Sequence, residues 1–199
     1  MRLIRQHCYA DFEWAKSIAV GPGLSMNVAA AEITRCVLER DDKVRILDAD
    51  ALNIIAGEHI DYKGSREGQI IITPHIMEMS RLTGKTVADI KEHMIESAKE
   101  YAIQHSCICI LKDARTVVTD GQKVYINCTG NDGMSTGGCG DVLTGLIAGM
   151  TAMGLDAFEA ACLSVYVHGK AGDYAASGKG RAGMTAADIS EAIAYVLKR

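Results

Sequence analysis

Proline and aromatic residues are scarce in this chain of 199 residues, which contains two prolines and has an aromatic content of 5%. No internal repeat, low-complexity tract or linker divides the sequence. Glycine and alanine are abundant instead, and small residues favour close packing of helices on a sheet. Residues 1–199 are therefore expected to form a single domain with a sizeable core.

The chain also lacks an excess of positive charge, with a formal net charge of -4 and a pI of about 5.9. That balance argues against broad nucleic-acid binding, which usually needs a basic face. The first residues lack the apolar core of a signal peptide, and no apolar run is long enough to span a bilayer. We therefore expect neither a nucleic-acid nor a membrane partner.

The seven cysteines form no CxxC pair and no Cys/His cluster with zinc spacing. Reduced thiols in a cytoplasmic protein are the simplest interpretation. Histidines outside the motifs described below show no metal-ligand spacing either, and we expect surface or packing roles for His7, His59, His93, His105 and His168. The sequence therefore predicts no metal site built from protein ligands alone.

Short apolar runs alternate with longer helical stretches, which is the pattern of an α/β fold. Strands are predicted at 17–20, 44–47, 69–72 and 107–111. Helices are predicted at 27–39, from the end of the second strand to about 56, and at 76–82, 86–105, 141–153, 157–176 and 185–197. Residues 1–16 show no clear pattern.

A hairpin is predicted in the second half of the chain, because Asp120-Gly121 separates apolar segments at 116–119 and 123–126. An otherwise parallel sheet thus gains antiparallel strands there.

The strongest functional signal is the glycine-rich segment 129–140, which is followed by Asp141 and an apolar helix. Glycines let the backbone adopt positive φ and approach a ligand closely. The N–H groups at a helix start lack partners within the helix and carry its positive dipole end. Together they suit a phosphoryl group, and a carboxylate on the first turn is placed to accept a hydroxyl proton.

Other phosphate motifs do not fit this segment. No Gly-Lys-Ser/Thr follows, so it is not a P-loop, and the GxGxxG spacing fails. The structural alternative is a glycine-rich turn in which Asp141 caps the helix. The length of the run and its place between a hairpin and an amphipathic helix favour the phosphate site.

Four segments together resemble the ADP/ATP-dependent NAD(P)H-hydrate dehydratases, a ribokinase-like family. They are Gly21-Pro22-Gly23-Leu24, Asp48-Ala49-Asp50-Ala51-Leu52-Asn53, Thr73-Pro74-His75 with Glu78, and Thr136-Gly137-Gly138-Cys139-Gly140-Asp141. The resemblance runs from about Ala19 to the C-terminus. It implies a three-layer αβα sandwich with a mostly parallel sheet. It also implies a homo-oligomer, as is common in the family.

The resemblance implies repair of hydrated NADH and NADPH. ADP or ATP, with Mg²⁺, would phosphorylate the hydrate hydroxyl, and elimination of phosphate would restore the nicotinamide. Asp141 matches the catalytic aspartate. The implied nucleotide-binding residues are Lys112, Thr116, Asn131, Gly137, Gly138 and Gly140. The implied substrate-binding residues are Gly23, Asp48, Asp50, His75, Glu78 and Asp141.

Each of these residues also has an ordinary structural interpretation. Asp48 and Asp50 follow a predicted strand, where open α/β sheets place ligands, but turn and cap chemistry is the alternative. His75 is predicted to hydrogen-bond the substrate, with a structural or simply exposed histidine as the alternative. Glu78 is either a Mg²⁺ ligand through water or a solvated helix residue. Lys112 is expected to reach the pocket or its rim, with a surface cation as the alternative.

Three further positions stay open at this level. Thr116 is equally an ordinary strand residue, and Asn131 a turn former. Cys139 lies beside a helix N-terminus that could lower its pKa and make the thiol reactive, although a small filler residue is the favoured interpretation.

Two departures from the family pattern bear on activity. No equivalent of the family's early glycine-rich segment is present, so we expect the chain to lack the N-terminal part of the fold. Asp113 replaces a family glycine and is predicted to crowd the nucleotide or repel its phosphates. The alternatives are a kinase of the same fold for a sugar, hydroxymethylpyrimidine or thiazole alcohol, and a nucleotide-binding fragment with weak or no activity.

Overall fold

The structure is a computed structural model that describes residues 2–64 and 69–198, with the side chains of residues 2–4, 7, 9 and 11 outside the description. The elements in chain order are α1 (Arg2–Trp14), β1 (Ser17–Val20), α2 (Val28–Leu38), β2 (Val44–Leu47), α3 (Ala49–Gly57), β3 (Ile70–Ile72), α4 (Ile76–Thr83), α5 (Val87–Glu92), α6 (Met94–His105), β4 (Ile108–Leu111), β5 (Val117–Thr119), β6 (Val124–Ile126), a 3-10 turn (Asp132–Met134), α7 (Cys139–Ala152), α8 (Ala157–Lys179) and α9 (Ala186–Val196).

The six strands form one sheet whose spatial order follows the chain, from β1 to β6. β1 to β4 are parallel, with Val20 opposite Leu47 and Leu47 opposite Ile72. β5 and β6 run antiparallel and form the predicted hairpin. At its turn, Gly121 has φ +94° and the Asp120 carboxylate accepts the N–H of Gln122. The mixed sheet predicted from the sequence is confirmed.

Helices cover both faces of this sheet. Successive residues of a strand point to opposite faces, so each strand contributes side chains to the cores on both sides. On β4, Cys109 and Leu111 join a core formed with α2 to α6. Ile108 and Ile110 join a second core formed with α7 and α8. These two cores confirm the three-layer αβα arrangement.

A smaller apolar cluster lies between α7, α8 and α9, away from the sheet. Ala171, Ala175, Met184, Ile189 and Ala192 are its buried members, together with Cys139 at the start of α7. At the start of α9, the N–H of Thr185 donates to Asp188 Oδ2 at 2.8 Å, which caps the helix.

No element was predicted for residues 1–16, and one predicted helix was wrong. Residues 2–14 form α1, which docks on α2 through ion pairs of Arg5 with Glu32 and Glu39. α1 has no acidic residue in its first turn and no basic residue in its last, so the usual end signals are missing. The predicted helix 86–105 is two helices, because His93 breaks the ladder with φ -127° and ψ 49°.

Within residues 2–64 and 69–198, none of the helices is both long and apolar enough to cross a membrane. No disulfide joins cysteines in this part of the chain. His59 and His93 are exposed, as expected, whereas the side chain of His7 lies outside the described residues.

Candidate active site

The carboxyl ends of the four parallel strands bring the predicted site segments together at one edge of the sheet. Gly21 follows β1, Asp48 follows β2, Thr73-Pro74-His75 follows β3 and Lys112 follows β4. His75 and Lys112 continue the parallel pairing as an isolated bridge, and the Lys112 N–H donates to the Pro74 carbonyl at 2.8 Å. This is the edge at which open α/β sheets bind ligands.

Asp48 is the buried centre of this edge, with 1% of its surface exposed. Its Oδ1 accepts from Lys112 Nζ at 2.8 Å, and its Oδ2 accepts from Thr144 Oγ1 of α7 at 2.7 Å. Both carboxylate oxygens are thus engaged within the protein. Asp48 therefore fixes β2, β4 and α7 relative to one another.

The first turn of α7 lies over this ion pair. The α-carbon of Gly140 faces it so closely that a β-carbon there would lie 3.4 Å from Lys112 Nζ and 3.8 Å from Asp48 Oδ2. Gly138 precedes the helix with φ +88° and offers no side-chain cap to its N–H groups. An uncapped helix start over a cationic ammonium group favours an anion.

Asp141 lies on this first turn with an exposed side chain. It does not cap α7, since Gly138 occupies the cap position without any side-chain bond. The capping alternative for Asp141 is therefore wrong. An exposed carboxylate beside an uncapped helix start can accept a proton from a bound hydroxyl group.

The segment after β1 packs tightly against Asp48. A β-carbon on Gly21, where φ is +125°, would overlap the Asp48 carbonyl oxygen and lie 2.8 Å from its carbonyl carbon. Asp50 Oδ2 accepts the Ser25 N–H at 2.7 Å and ties this segment to α3. Ser25 and Ala49 have φ of 70° and 45°, which is a strained conformation for residues with a β-carbon.

Gly23 lies at the exposed tip of the same segment with φ +62° and open space around its α-carbon. Its predicted contact with the substrate is compatible with that exposure and stays a prediction.

His75 and Glu78 form a capping box at the start of α4. The Glu78 N–H donates to His75 Nδ1 at 3.1 Å, and the His75 N–H donates to Glu78 Oε2 at 2.8 Å. Glu78 is only 4% exposed, so its interpretation as a solvated helix residue is wrong. Burial raises the pKa of Glu78, while the His75 N–H and the charge of Lys112 oppose that rise. The imidazole of His75 is half exposed at the site rim.

The remaining predicted nucleotide residues lie on the turn after β4 and in the glycine-rich loop. Thr116 donates through Oγ1 to the Asp113 carbonyl at 3.3 Å, which closes the turn after β4. Asp113 itself is exposed on that turn. Gly137 is exposed, with nothing within 4 Å of where a β-carbon would be. These assignments stay predictions.

Asn131 uses both ends of its side chain inside the protein. Its Oδ1 accepts the Gly133 N–H and its Nδ2 donates to Asp173 Oδ1, each at 3.1 Å. The turn-forming interpretation of Asn131 is therefore confirmed. Its role toward a nucleotide stays a prediction.

Sequence reasoning missed Thr144 and Asp173. Thr144 lies 96 residues from Asp48, and Asp173 lies 42 residues from Asn131. Thr144 interrupts the mainly apolar buried face of α7 that contains Leu143, Ile147 and Met150, and this is the one signal the sequence offered. Asp173 has no such signal, since Lys170 and Ser177 lie one turn away on the same side of α8.

Cys139 and His168 are both buried at the base of α7. Burial raises the pKa of the Cys139 thiol despite its place at a helix start, so the activation considered from the sequence is wrong. Burial likewise lowers the pKa of His168 to about 4, and the Lys112 charge adds to this effect. His168 is therefore a packing residue, as expected.

No group of three or more His, Cys, Asp or Glu side chains that could hold a metal ion occurs among the described residues. Two acidic groups lie at the helix start: the buried Asp48, each of whose oxygens accepts a hydrogen bond, and the exposed Asp141. A divalent cation at this site would take most of its ligands from phosphate oxygens and water, which suits Mg²⁺.

Comparison with known proteins agrees with this geometry. A family model described as NAD(P)H-hydrate dehydratase matches residues 2–195. The bifunctional NAD(P)H-hydrate repair enzyme of Moorella thermoacetica is 45% identical over 183 residues, which cover 91% of this chain and 34% of that protein. The chain thus spans about a third of the length of that relative.

Two solved structures share the fold. The ADP/ATP-dependent NAD(P)H-hydrate dehydratase from Bacillus subtilis, co-crystallised with ATP and Mg²⁺ and soaked with CoA, superposes with a TM-score of 0.85 at 32% identity. The match covers 97% of this chain and 70% of that one. A ribokinase-like superfamily protein from Enterococcus faecalis superposes with a TM-score of 0.83 at 27% identity, over 98% of this chain and 66% of that one.

The ribokinase-like architecture is confirmed by these structures, and the motifs that carried the resemblance lie together at one edge of the sheet. The family model spans nearly the whole chain, from α1 to α9. The chain belongs to the NAD(P)H-hydrate dehydratase family.

Proposed function

We propose that this protein catalyses the ADP- or ATP-dependent dehydration of hydrated NADH or NADPH. The observation that carries the proposal is the uncapped start of α7, whose first turn holds the exposed Asp141 and lies above the Lys112–Asp48 pair. The names of the relatives add support, since the Bacillus subtilis structure is of an ADP/ATP-dependent NAD(P)H-hydrate dehydratase.

In the proposed reaction, the terminal phosphate of the nucleotide lies against the N–H groups of Gly140 and Asp141. The positive helix end and the ammonium group of Lys112 offset the charge of the phosphoryl group as it is transferred. The hydroxyl oxygen of the hydrate attacks the terminal phosphorus and displaces AMP from ADP, or ADP from ATP, while Asp141 accepts the hydroxyl proton. The phosphate then leaves with the electrons of its C–O bond while the neighbouring ring carbon loses a proton to water, and the nicotinamide double bond is restored.

In this scheme Asp48 acts through Lys112 and Thr144, which donate to its two oxygens, and its contact with the substrate stays a prediction. It holds the Lys112 ammonium group under Gly140 and holds α7 on the sheet through Thr144. The hydrated dinucleotide would approach from the side of Gly23, Asp50 and His75, which lie on the neighbouring strand ends. Mg²⁺ would accompany the nucleotide and neutralise its phosphates.

The direct test is absorbance near the reduced-nicotinamide band, with hydrated NADH or NADPH, Mg²⁺, and ADP or ATP supplied in turn. A nucleotide-dependent rise, with release of phosphate, supports the proposal and identifies the donor. A stable phosphate ester of another alcohol, with no rise, would indicate a small-molecule kinase. Nucleotide binding without either product would indicate a fragment with weak or no activity.

We also propose that the protein is cytoplasmic and forms a homo-oligomer. Cysteines without disulfides in the described part of the chain suit a reducing compartment. β1 is an edge strand of the described sheet, and open edges favour association. Cell fractionation and light scattering test these two points.

A further inference from the structure

The glycine-rich loop has two halves with different surroundings. Residues 129–134, here called the anchor arm, pack on α8. Residues 135–138, here called the open arm, lead into α7 and are mostly exposed. The difference matters because the open arm and the first turn of α7 carry the N–H groups to which the proposed function assigns the phosphates.

Among the residues of α8 that contact the anchor arm are Gly169, Gly172 and Asp173, here called the α8 clamp. Their spacing of three and four residues places them on one face of the helix. Asp173 accepts the Gly130 N–H through Oδ2 and Asn131 Nδ2 through Oδ1, each at 3.1 Å. Each oxygen of this carboxylate thus holds one neighbouring residue of the loop.

The two glycines of the clamp let the loop approach the helix backbone. A β-carbon on Gly169 would overlap Thr129 Oγ1 and lie 2.7 Å from the Thr129 carbonyl carbon. One on Gly172 would overlap the Met134 sulfur and lie 2.8 Å from its Cγ. Thr129 is also tied to α8 directly, because its Oγ1 donates to the Tyr166 carbonyl at 3.0 Å.

We propose that the α8 clamp positions the nucleotide loop, with Asp173 as its main positioning residue; this inference rests on the nucleotide-dependent function proposed above. The clamp holds the anchor arm still, so that the open arm and the start of α7 keep their N–H groups directed at the phosphates. Asp173 acts through Gly130 and Asn131 and does not contact the nucleotide itself.

The hydrogen-bond donors that face residue 173 explain why this position requires a carboxylate. The Oδ1 of Asn131 already accepts the Gly133 N–H, so only the amino group of Asn131 faces residue 173. Gly130 presents an N–H as well. Two donors need two acceptors, which aspartate supplies and asparagine does not. Asp173→Asn therefore sets one amino group against another.

The same donors and acceptors predict a double variant that restores the hydrogen bonds. In the double variant Asp173→Asn, Asn131→Asp, the new carboxylate at 131 can accept from both Gly133 and the amide at 173. The amide oxygen at 173 still accepts the Gly130 N–H. All three hydrogen bonds return with the two side chains exchanged and the net charge unchanged. If Asp173→Asn acted only by destabilising the protein, the second substitution would not restore the loop.

Asp156→Asn is the matched control. Asp156 is the N-cap of the same helix and also accepts from two N–H donors, here the backbones of Phe158 and Glu159, but it lies at the other end of the helix from Asp173. The substitution changes charge and shape identically, and asparagine caps helices well. It is expected to leave nucleotide affinity within about twofold of the wild-type value.

The experiment measures the affinity for Mg²⁺-ADP by calorimetry and amide hydrogen exchange of residues 129–134 without nucleotide, on the full chain. Asp173→Asn should weaken ADP binding about tenfold and speed exchange of the anchor arm, as expected for the loss of one hydrogen bond to a charged group. The double variant should restore exchange protection.

The outcomes separate the two proposals. Wild-type affinity and wild-type exchange in Asp173→Asn would overturn the clamp while the proposed function stands. A double variant whose anchor arm exchanges as fast as that of Asp173→Asn would overturn the pairing. Absence of ADP binding by the wild-type chain would overturn the proposed function, and the inference with it.

A second pair of variants tests the clamp independently of Asp173. Gly172→Ala should weaken ADP binding because its methyl group displaces Met134 and with it the anchor arm. Adding Met134→Ala should recover most of the lost affinity by returning the space. Unchanged affinity in Gly172→Ala would contradict the clamp.

Discussion

Lys112 and Asp48 lie 64 residues apart in sequence and form an ion pair of 2.8 Å beneath the first turn of α7. The side chain of Asp48 is 2% exposed and that of Lys112 is 21% exposed. The attraction within such a pair adds little to the stability of the fold. Removing one partner nevertheless lowers the stability strongly, because the other charge is then buried without a counter-charge.

Lys112→Met is therefore expected to lower the free energy of unfolding by about 3 kcal/mol, because a buried carboxylate loses its cation. Urea denaturation measures this change. Adding Asp48→Asn should recover part of the loss, since the uncompensated charge is then gone. A loss below about 0.5 kcal/mol would mean that the pair behaves like an exposed one.

Asp141→Ala is expected to reduce turnover by about a thousandfold, which is the usual range for loss of a general base. ADP binding should persist, because the helix N–H groups remain. The side chain is exposed, so the free energy of unfolding should change by no more than about 0.5 kcal/mol. Steady-state kinetics and calorimetry give the two readouts, and wild-type turnover would remove Asp141 from the mechanism.

Gly21 and Gly23 allow a paired comparison within one loop. Gly21→Ala should destabilise the protein by more than about 3 kcal/mol, because the methyl group would overlap the Asp48 carbonyl at φ +125°. Gly23→Ala should cost only about 1 kcal/mol, since only its positive φ is unfavourable. Equal effects in thermal unfolding would show that the close approach at Gly21 is unimportant.

His168 predicts a pH dependence of stability. Its pKa is lowered from 6.5 to about 4, chiefly by burial, so the unfolded chain binds the extra proton between those values. Stability is therefore fully present above pH 6.5 and falls by about 3 kcal/mol as the pH drops toward 4. His168→Gln should flatten the dependence in that window, and an unchanged slope in urea melts would contradict the assignment.

The two cysteines nearest the loop should differ in reactivity. Cys128 is exposed, whereas Cys139 is 5% exposed and burial raises the pKa of its thiol. Since the thiolate is the reacting form, a maleimide should label Cys128 well before Cys139 at neutral pH. Mass spectrometry of timed digests measures the order, and prior labelling at Cys139 would mean that the helix start activates it after all.

The sequence predicted those parts of the fold that depend on local patterns. Apolar runs located the strands, and Asp120-Gly121 located the hairpin. Strand ends located Asp48, His75 and Lys112 at one edge. The unpredicted parts are α1, which lacks end signals, and the break at His93, which no proline or glycine marks.

Within the site, the partners of each residue could not be predicted from local patterns. Asp48 was identified as a site residue, but its bonds to Lys112 and Thr144 join segments 64 and 96 residues away. The bond between Asn131 and Asp173 crosses 42 residues. Such pairings are set by the packing of α7 and α8 on the sheet, which leaves no periodic signal in the sequence.

The long separations around Asp48 also bear on the order in which the molecule assembles. Neighbouring parallel strands can pair as the chain is made, since their order in the sheet follows the chain. Thr144 reaches Asp48 only when α7 returns across the whole parallel sheet, and closing so long a loop is entropically slow. Nucleotide affinity should thus appear among the last events of folding, so that partly folded chains bind little nucleotide.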